Sequence, residues 1–260
     1  MPDSKEVSVN LEGHVALVEI HRPPHNFFDQ HLIQNLADAF EALDENLECR
    51  AILLASEGKS FCAGANFKGR VTSSDDRAEA VGANHIYREA VRLFSCKKPV
   101  VAAIQGAAVG GGLGLALVAD FRVVSPEARF AANFVKLGIH PGFGLTYTLP
   151  RLIGVQKASL MFLTGRRIPA DEAIAWGLAD VLTAPDQLRQ TARQLAAEIA
   201  ECAPLAVRST RATLRQGIAD AVKVQTDHEF SEQSWLMRTA DHREGVRAVE
   251  ERRVGNFVGR

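Results

Sequence analysis

Apolar positions follow two different periods along the first half of the chain. Short segments are apolar at every residue or every second residue, and longer segments are apolar at every third or fourth residue. The short segments predict β-strands and the longer ones predict amphipathic helices, an alternation typical of a layered α/β protein. The predicted strands are VSVNLEG, HVALVEI, AILLAS, PVVAAIQ and FRVVS. The predicted helices run from Asp29, which caps the first one, to about Leu47, over about 78–94, and over GGLGLALVA.

The order of these segments also predicts how the strands pair. About 45–50 residues that include a helix separate AILLAS from PVVAAIQ, which predicts parallel pairing through a right-handed crossover. From Ala158 onward one helix follows another, so the sheet lies in the first half. We therefore predict an α/β core over residues 1–195 and a helical C-terminal region over residues 196–260.

Composition and charge exclude several classes of protein. Of the 260 residues 47% are hydrophobic, and 30 basic side chains stand against 31 acidic ones. This balance provides no basic surface for nucleic acid and no polybasic membrane anchor. The four cysteines form no C-x-x-C pair, so neither a zinc site nor any other metal is expected. No signal-type segment and no apolar stretch of about 18 residues is found, which favours a cytoplasmic protein without a membrane partner.

The many glycines do not form a nucleotide-binding fingerprint. G-x-G-x-x-G fails because Leu115 and Leu117 stand where the third glycine is needed, and the P-loop pattern fails because Leu53 stands at its first glycine. The sequence also lacks G-x-S-x-G and H-E-x-x-H, so a nucleophile elbow and a zinc protease site are unsupported.

Two glycine-rich segments, 56–68 and 104–116, begin at the ends of apolar strands. Small residues at the end of a strand let backbone N–H groups approach a ligand closely. The second segment also runs into a helix N-terminus, where free N–H groups favour a developing negative charge. Two such loops that face each other would form an oxyanion hole. The alternative is that the glycines only allow helix and sheet to pack tightly.

The same segments, which contain GKSFCAGANF and AIQGAAVGGGLGLALVADFRV, resemble the enoyl-CoA hydratase/isomerase (crotonase) superfamily. The family patterns are K-x-F-x-A-G-A-D-[IL] and N-G-x-A-x-G-G-G. The resemblance continues through ARFAANFVKLGIHPGFGLTYTLPRLIG, LTGRRIPADEAIAWGLADVL and EGVRAVEERRVGNF, and so covers almost the whole chain. It implies a crotonase fold, which is a spiral of ββα repeats with a helical C-terminal trimerisation region, and a homotrimer or hexamer.

The resemblance also implies a site for an acyl-CoA thioester, with coenzyme A as part of the substrate and no separate cofactor. The thioester carbonyl would accept hydrogen bonds from the backbone N–H groups of Ala65 and Gly111, which would stabilise an enolate-like charge. The first loop would form much of the adenine pocket, the R-P-x-x-N turn at 22–26 would touch pantetheine and phosphates, and Arg252 would meet a CoA phosphate. The expected substrate-binding residues are Arg22, Asn26, Ala63, Asn66, Phe67, Gly110, Gly114, Phe134, Pro141 and Arg252.

Two positions depart from the pattern of true hydratases. The two glutamates that hold the water in those enzymes correspond here to Gly114 and Phe134. Neither residue transfers a proton, so ordinary hydration lacks its acid and its base. Double-bond isomerisation in the family relies on the second glutamate and is affected in the same way.

A histidine near the second of these positions is the candidate replacement. His140 precedes Pro141 in the loop that helps to line the acyl pocket in the family, and histidine exchanges protons near neutral pH. We therefore predict His140 as the base, with a packing histidine as the alternative. His85 and Tyr87 lie on the helix that borders the pocket in the family, and we interpret both as helix-surface residues.

Three functions remain open. The first is an acyl-CoA-processing enzyme, a lyase or an isomerase, with non-standard acid and base residues. The second is a catalytically silent acyl-CoA-binding protein that keeps the pocket and the oxyanion hole. The third, a dehalogenase- or hydrolase-like enzyme, would need a carboxylate nucleophile within residues 138–146, and none is present there.

Overall fold

The computed structural model describes residues 5–66 and 86–260, which form two β-sheets covered by helices. The larger sheet contains β1 (Val7–Glu12), β2 (Val15–Ile20), β3 (Ala51–Ser56), β5 (Val100–Ile104), β7 (Phe121–Val124) and β10 (Val181–Leu182). These six strands lie side by side in the order β1-β2-β3-β5-β7-β10. β1 and β2 form an antiparallel hairpin, and every other neighbouring pair is parallel.

The smaller sheet contains β4 (Ser60–Cys62), β6 (Ala107–Val109), β8 (Arg129–Ala131) and β9 (Arg167–Pro169). They lie in the order β4-β6-β8-β9, with the last pair antiparallel and the other two pairs parallel. Each of β3, β5 and β7 is followed along the chain by a short strand of the smaller sheet. The chain therefore winds between the two sheets.

The helices complete the repeats of this spiral. They are α1 (Gln30–Glu45), α2 (described over 86–94), α3 (Gly111–Ala116), α4 (Leu145–Ile153), α5 (Val155–Thr164), α6 (Ala170–Trp176), α7 (Leu188–Glu201), α8 (Pro204–Leu214), α9 (Ile218–Leu236) and α10 (Ala240–Glu250). α2 follows β3 and β4, and α3 follows β5 and β6, so two successive ββα units are present. The predicted spiral of ββα repeats is confirmed.

Helices cover both faces of the larger sheet. All six residues of β3 are buried, because Ile52 and Leu54 pack into the main core while Leu53 and Ala55 face α7. Parallel strands covered on both faces are apolar throughout, which explains the uninterrupted AILLAS pattern. α7 packs on the sheet along its length, through buried alanines up to position 200. The boundary predicted between residues 195 and 196 lies within this helix, and the division into two regions stays a prediction.

Two predictions from local sequence signals near the start of the chain are confirmed. The predicted hairpin forms around Gly13, and the Asp29 carboxylate caps α1 by accepting a hydrogen bond of 2.9 Å from the amide of Leu32. α1 ends at Glu45, two residues before the predicted end, because Asn46 adopts an extended conformation. The expected start of the second helix near residue 78 lies outside the described residues.

The last helix folds back onto the spiral of its own chain. α10 packs against a short 3₁₀ helix at Asn133–Leu137, and glycines permit the close approach. A Cβ atom built on Gly245 would lie 2.6 Å from the carbonyl carbon of Leu137. Both α9 and α10 thereby reach the region where the glycine-rich loops end.

Within residues 5–66 and 86–260, no helix has the length and apolar character needed to cross a membrane.

Candidate active site

The two glycine-rich segments leave the same edge of the smaller sheet. β4 and β6 are parallel neighbours, so the residues that follow them lie side by side. Gly64 has a φ angle of +82°, and a Cβ atom built on it would lie 2.7 Å from the carbonyl oxygen of Val109 and 3.8 Å from the amide nitrogen of Gly111. The two loops are therefore in direct backbone contact.

Two backbone amides at this contact have no acceptor among residues 5–66 and 86–260. The neighbouring amide of Gly110 donates to the carbonyl oxygen of Ala131 over 2.8 Å. The amides of Ala65 and Gly111, by contrast, donate no hydrogen bond in the part of the chain that the structure describes. Gly111 is the first residue of α3, where an amide has no partner within the helix. Free amides arranged in this way can bind an oxygen atom that gains negative charge.

Close packing explains why these positions are glycine. A Cβ atom on Gly111 would lie 2.2 Å from Cζ of Phe28, and one on Gly112 would lie 2.0 Å from the carbonyl oxygen of Cys62. The backbone of Phe28 pairs with that of Ala65 in a parallel β-bridge. The glycines therefore permit tight packing, as the second interpretation expects, and that packing fixes the positions of the amides of Ala65 and Gly111.

A cleft of about 660 Å³ lies against these amides. Its wall includes the rings of Phe28, Phe134 and Phe143, with the centroids of Phe28 and Phe143 5.8 Å apart. Apolar clefts that carry a few well-placed polar groups are the usual form of a small-molecule site. This cleft is suited to a ligand with an apolar group next to an oxygen acceptor.

A hydrogen-bonded pair forms one polar part of the cleft wall. The Gln233 amide group donates from Nε2 to the carbonyl oxygen of His140 over 2.7 Å. Its Oε1 accepts from the Tyr87 hydroxyl over 2.5 Å. Because a carbonyl can only accept, Nε2 must face His140, and the Tyr87 proton is then directed at Gln233. Burial raises the pKa of the Tyr87 hydroxyl above its ordinary value, and the nearby Glu229 carboxylate raises it further.

Ionisable side chains reach the cleft mainly from the C-terminal region. His242, Glu250 and Arg252 line it from α10 and the residues that follow, and Asp29 lines it from the start of α1. The Nδ1 atom of His242 lies 2.7 Å from the carbonyl oxygen of Leu137. A carbonyl requires a donor, so this contact places a proton on Nδ1 and leaves Nε2 available as an acceptor in the neutral ring.

The sequence as a whole matches one family. The profile of the enoyl-CoA hydratase/isomerase family matches residues 10–260. The chain belongs to this family of acyl-CoA-processing enzymes. Relatives include the Bacillus subtilis protein YngF (37% identical over the full length of both chains) and the (E)-benzylidenesuccinyl-CoA hydratase of Thauera aromatica (34%, covering 97% of this chain and 99% of the relative). The crystal structure of an enoyl-CoA hydratase/isomerase from Pseudoalteromonas atlantica superposes with a TM-score of 0.87 at 29% identity, covering 98% of this chain and all of that one.

Phenyl rings lie at both positions, 114 and 134, where the family resemblance leads to the expectation of a glutamate in a true hydratase. Gly114 is buried and does not line the cleft, because a Cβ atom on it would lie 2.6 Å from Cδ1 of Phe143. Phe134 lines the cleft, with Cζ 3.7 Å from a Cβ atom built on Gly110. The wall of the cleft is therefore apolar at position 134, and position 114 is closed off by the ring of Phe143.

His140, the predicted base, does not line the cleft beside the two amides. His140 and Pro141 line a different groove, together with Trp235, and His140 Nδ1 lies 2.8 Å from the carbonyl oxygen of Pro141. The His140 ring also packs edge-on against His228, with centroids 5.8 Å apart. The loop turns through the left-handed conformation at Gly138 (φ +65°), and it is Phe143 rather than His140 that faces the cleft.

Arg22 and Asn26 build the turn near the cleft and do not line it. Asn26 is fully buried, and its Nδ2 donates to the carbonyl oxygens of Glu57 and Ser60 over 2.6 and 2.7 Å. Arg22 forms an ion pair of 2.9 Å with Asp29. Asn26 therefore holds the first loop and Arg22 holds the start of α1, while the expected ligand contact of these two residues stays a prediction.

The other predicted substrate-binding residues either line the cleft or lie outside the described part of the chain. The cleft is lined by Ala63, Asn66, Gly110, Phe134 and Arg252. Phe67 and His85 lie outside the described residues. Two lining residues that the sequence does not indicate, Gln233 and His242, come from α9 and α10, and no local motif marks them. Tyr87, which the sequence places on a helix surface, lines the cleft instead.

A buried carboxylate holds the loop that carries Phe143. Glu229 has no exposed surface and accepts hydrogen bonds from the Gly144 amide (2.7 Å), the Thr146 amide (3.0 Å) and the Thr146 hydroxyl (2.6 Å). Burial raises the pKa of Glu229 to about 7, against the opposing effect of these three donors. One turn later on α9, Gln233 binds the same loop at His140. α9 thus sets the shape of this side of the cleft.

Proposed function

We propose that the chain is an acyl-CoA enzyme that binds the thioester carbonyl at the amides of Ala65 and Gly111 and stabilises a thioester enolate. The observation that carries this proposal is the pair of unbonded amides on the wall of an apolar cleft. Hydrogen-bond donors fixed in place before the reaction stabilise charge without the cost of reorganising solvent. Coenzyme A enters as part of the substrate, and no separate cofactor is required by this chemistry.

We propose His242 as the proton-transfer residue in place of His140. It lines the cleft, and its contact with the Leu137 carbonyl holds the tautomer in which Nε2 can accept a proton. In the proposed step His242 Nε2 takes a proton from the acyl carbon next to the thioester. The electron pair of that C–H bond forms a double bond to the carbonyl carbon, and the π electron pair of the C=O bond moves to the thioester oxygen, between Ala65 and Gly111.

The lining of the cleft favours an apolar acyl group. Phe28, Phe134 and Phe143 provide most of the aromatic wall beside the two amides. Tyr87 and Gln233 are the polar pair on that wall. We therefore propose a mainly apolar acyl chain. The homotrimer or hexamer and the cytoplasmic location expected from the sequence stay predictions.

Proton exchange on a saturated thioester tests the proposed function without knowledge of the natural substrate. With butyryl-CoA in D₂O, we expect the protein to replace the protons of the carbon next to the thioester by deuterium, because each enolate formed returns a deuteron. Proton NMR follows the loss of that signal against a control without protein. If butyryl-CoA binds by calorimetry and its protons do not exchange, the silent acyl-CoA-binding protein is the better description.

A matched pair of histidine variants separates the two candidate bases. His242→Gln should lower the exchange rate by at least about 10²-fold, the usual contribution of a general base. His140→Gln should leave it within a few-fold of the wild-type rate, because His140 lies in another groove. Butyryl-CoA affinity should change little in either variant, since a base acts on the transition state. The opposite ranking of the two variants would assign the proton transfer to His140.

A further inference from the structure

A second cavity, of about 590 Å³, lies at the far end of α2 from the cleft. The cleft is lined by Tyr87 near the start of the described part of α2, whereas the second cavity is lined by Phe94 and Ser95 at its end. Seven residues of helix separate Tyr87 from Phe94, a rise of about 10 Å. No residue lines both cavities. The second cavity is therefore a separate site.

Three arginines from one face of α8 and its C-cap line this cavity. Arg208, Arg211 and Arg215 are spaced by three and four residues, which places them on the same side of a helix. Asp120 holds two of them, accepting from Arg211 Nε over 2.8 Å and from Arg215 Nη1 over 3.1 Å. Arg208 forms no hydrogen bond or ion pair within the described residues.

Several guanidinium donors of this cluster are buried and unpaired. Arg211 is 8% exposed, and its Nη2 has no hydrogen-bond partner among the described residues. The Nε and Nη2 atoms of Arg215 are also buried and have no partner in the same part of the chain. Buried guanidinium N–H groups without an acceptor are costly and call for an explanation. Arg215 is held through Nη1 alone, at 3.1 Å, so its other donors are free to turn toward a ligand in the cavity.

A second set of donors faces the cavity from another direction. The 19-residue helix α9 begins here, and its N-cap is Gly217, which has no side chain to cap the helix. Ala219 and Asp220 line the cavity, and their backbone amides have no acceptor in the described chain. The first amides of a helix point out of its N-terminus and favour an anion there.

The charges around the cavity leave a positive excess. Lys97 joins the three arginines on the wall, and Glu45 pairs with Lys97 over 3.0 Å. Asp120, which is shared between two arginines, does not line the cavity, and neither does Asp44, which accepts hydrogen bonds from the backbone amides of Lys97 and Lys98. Among the described residues that line the cavity, four are cations and one, Asp220 on α9, is a carboxylate. Burial lowers the pKa of Arg215, an effect that Asp120 opposes and that a bound anion would oppose further.

We infer that this cavity is a binding site for a phosphate group, separate from the acyl-CoA cleft. The donors come from α8 and from the N-terminus of α9, and a tetrahedral oxyanion can accept hydrogen bonds from both directions at once. A planar carboxylate satisfies fewer of them. This inference is independent of the proposed function, because it uses none of the cleft residues.

Titration with inorganic phosphate at constant ionic strength tests the site. Phosphate should bind by calorimetry and raise the unfolding temperature, whereas an ionic-strength match with sodium chloride should not. Arg208→Gln should weaken phosphate binding about tenfold, the loss expected for one hydrogen bond to a charged group. Arg151→Gln removes an exposed arginine from α4 and serves as the matched control, with unchanged phosphate affinity.

Two further measurements test whether phosphate binding requires these particular donors rather than positive charge alone, and whether phosphate binds outside the acyl-CoA cleft. Arg215→Lys keeps the positive charge and removes the Nε and Nη2 donors, so it should weaken phosphate binding and leave exchange of butyryl-CoA unchanged. Saturation with butyryl-CoA should not displace phosphate. Absence of phosphate binding, equal weakening by Arg208→Gln and Arg151→Gln, or competition by butyryl-CoA would each overturn the inference.

Discussion

Replacement of Gly111 by alanine should lower kcat for enolate formation by at least about 10²-fold, the loss seen on removing one donor of an oxyanion hole. The added Cβ atom would lie 2.2 Å from Cζ of Phe28, so either the ring or the first turn of α3 must move. Phe28 also pairs with Ala65, and its displacement would disturb the second donor. The measurement is the rate of deuterium exchange on butyryl-CoA at saturation.

A double variant distinguishes this clash from general damage. Phe28→Leu removes the ring atoms that the new methyl group would meet, so Gly111→Ala with Phe28→Leu should recover part of the activity that Gly111→Ala loses. The unfolding temperatures of all variants serve as the control for folding. A Gly111→Ala protein that keeps most of the wild-type rate would contradict the proposed role of this amide.

Introduction of both missing glutamates should create hydratase activity only if Phe143 is also reduced in size. Each general acid or base contributes roughly 10²–10⁴-fold, so Gly114→Glu with Phe134→Glu and Phe143→Gly should raise crotonyl-CoA hydration by at least about 10²-fold. Glycine is needed at position 143 because a Cβ atom at position 114 would lie 2.6 Å from Cδ1 of Phe143 and 2.8 Å from its Cβ. Hydration is followed by the loss of the enoyl-thioester absorbance.

The gain in hydration by the triple variant is measured against the wild-type rate. The intact wild-type protein should hydrate crotonyl-CoA far below the ordinary enzymatic kcat of about 10–10³ s⁻¹. The variant with Phe134→Glu and Phe143→Gly alone is the matched control and should gain less than the triple variant. A wild-type kcat within the ordinary range would mean that Gly114 and Phe134 do not mark the loss of the acid and the base.

Local sequence signals specified much of the fold and the centre of the site. The apolar run of β3, the cap at Asp29 and the glycine-rich segment before α3 each act over a few residues, so one sequence carries them in full. The free amides of Ala65 and Gly111 belong to this class, because backbone geometry at the end of a strand follows from small residues.

Side-chain directions in the irregular loop could not be read in the same way. Gly138, Phe143 and Gly144 all adopt positive φ angles, and these turns decide which residues face the cleft. The position of His140 in the sequence gives no information about these turns. The pair of Tyr87 and Gln233 joins positions 146 residues apart, and such contacts are set by tertiary packing. The glycine at position 114 is likewise explained only by the ring of Phe143.

The vibration of the thioester carbonyl reports most directly whether two backbone amides bind its oxygen. Infrared spectra of butyryl-CoA labelled with ¹³C at the thioester carbonyl should show the stretching band at lower frequency when bound than when free in water. Replacement of the Gly111 amide by an ester linkage, which removes only the N–H donor, should reverse part of this shift. A bound carbonyl band at or above the frequency of the free thioester would contradict the proposed oxyanion hole.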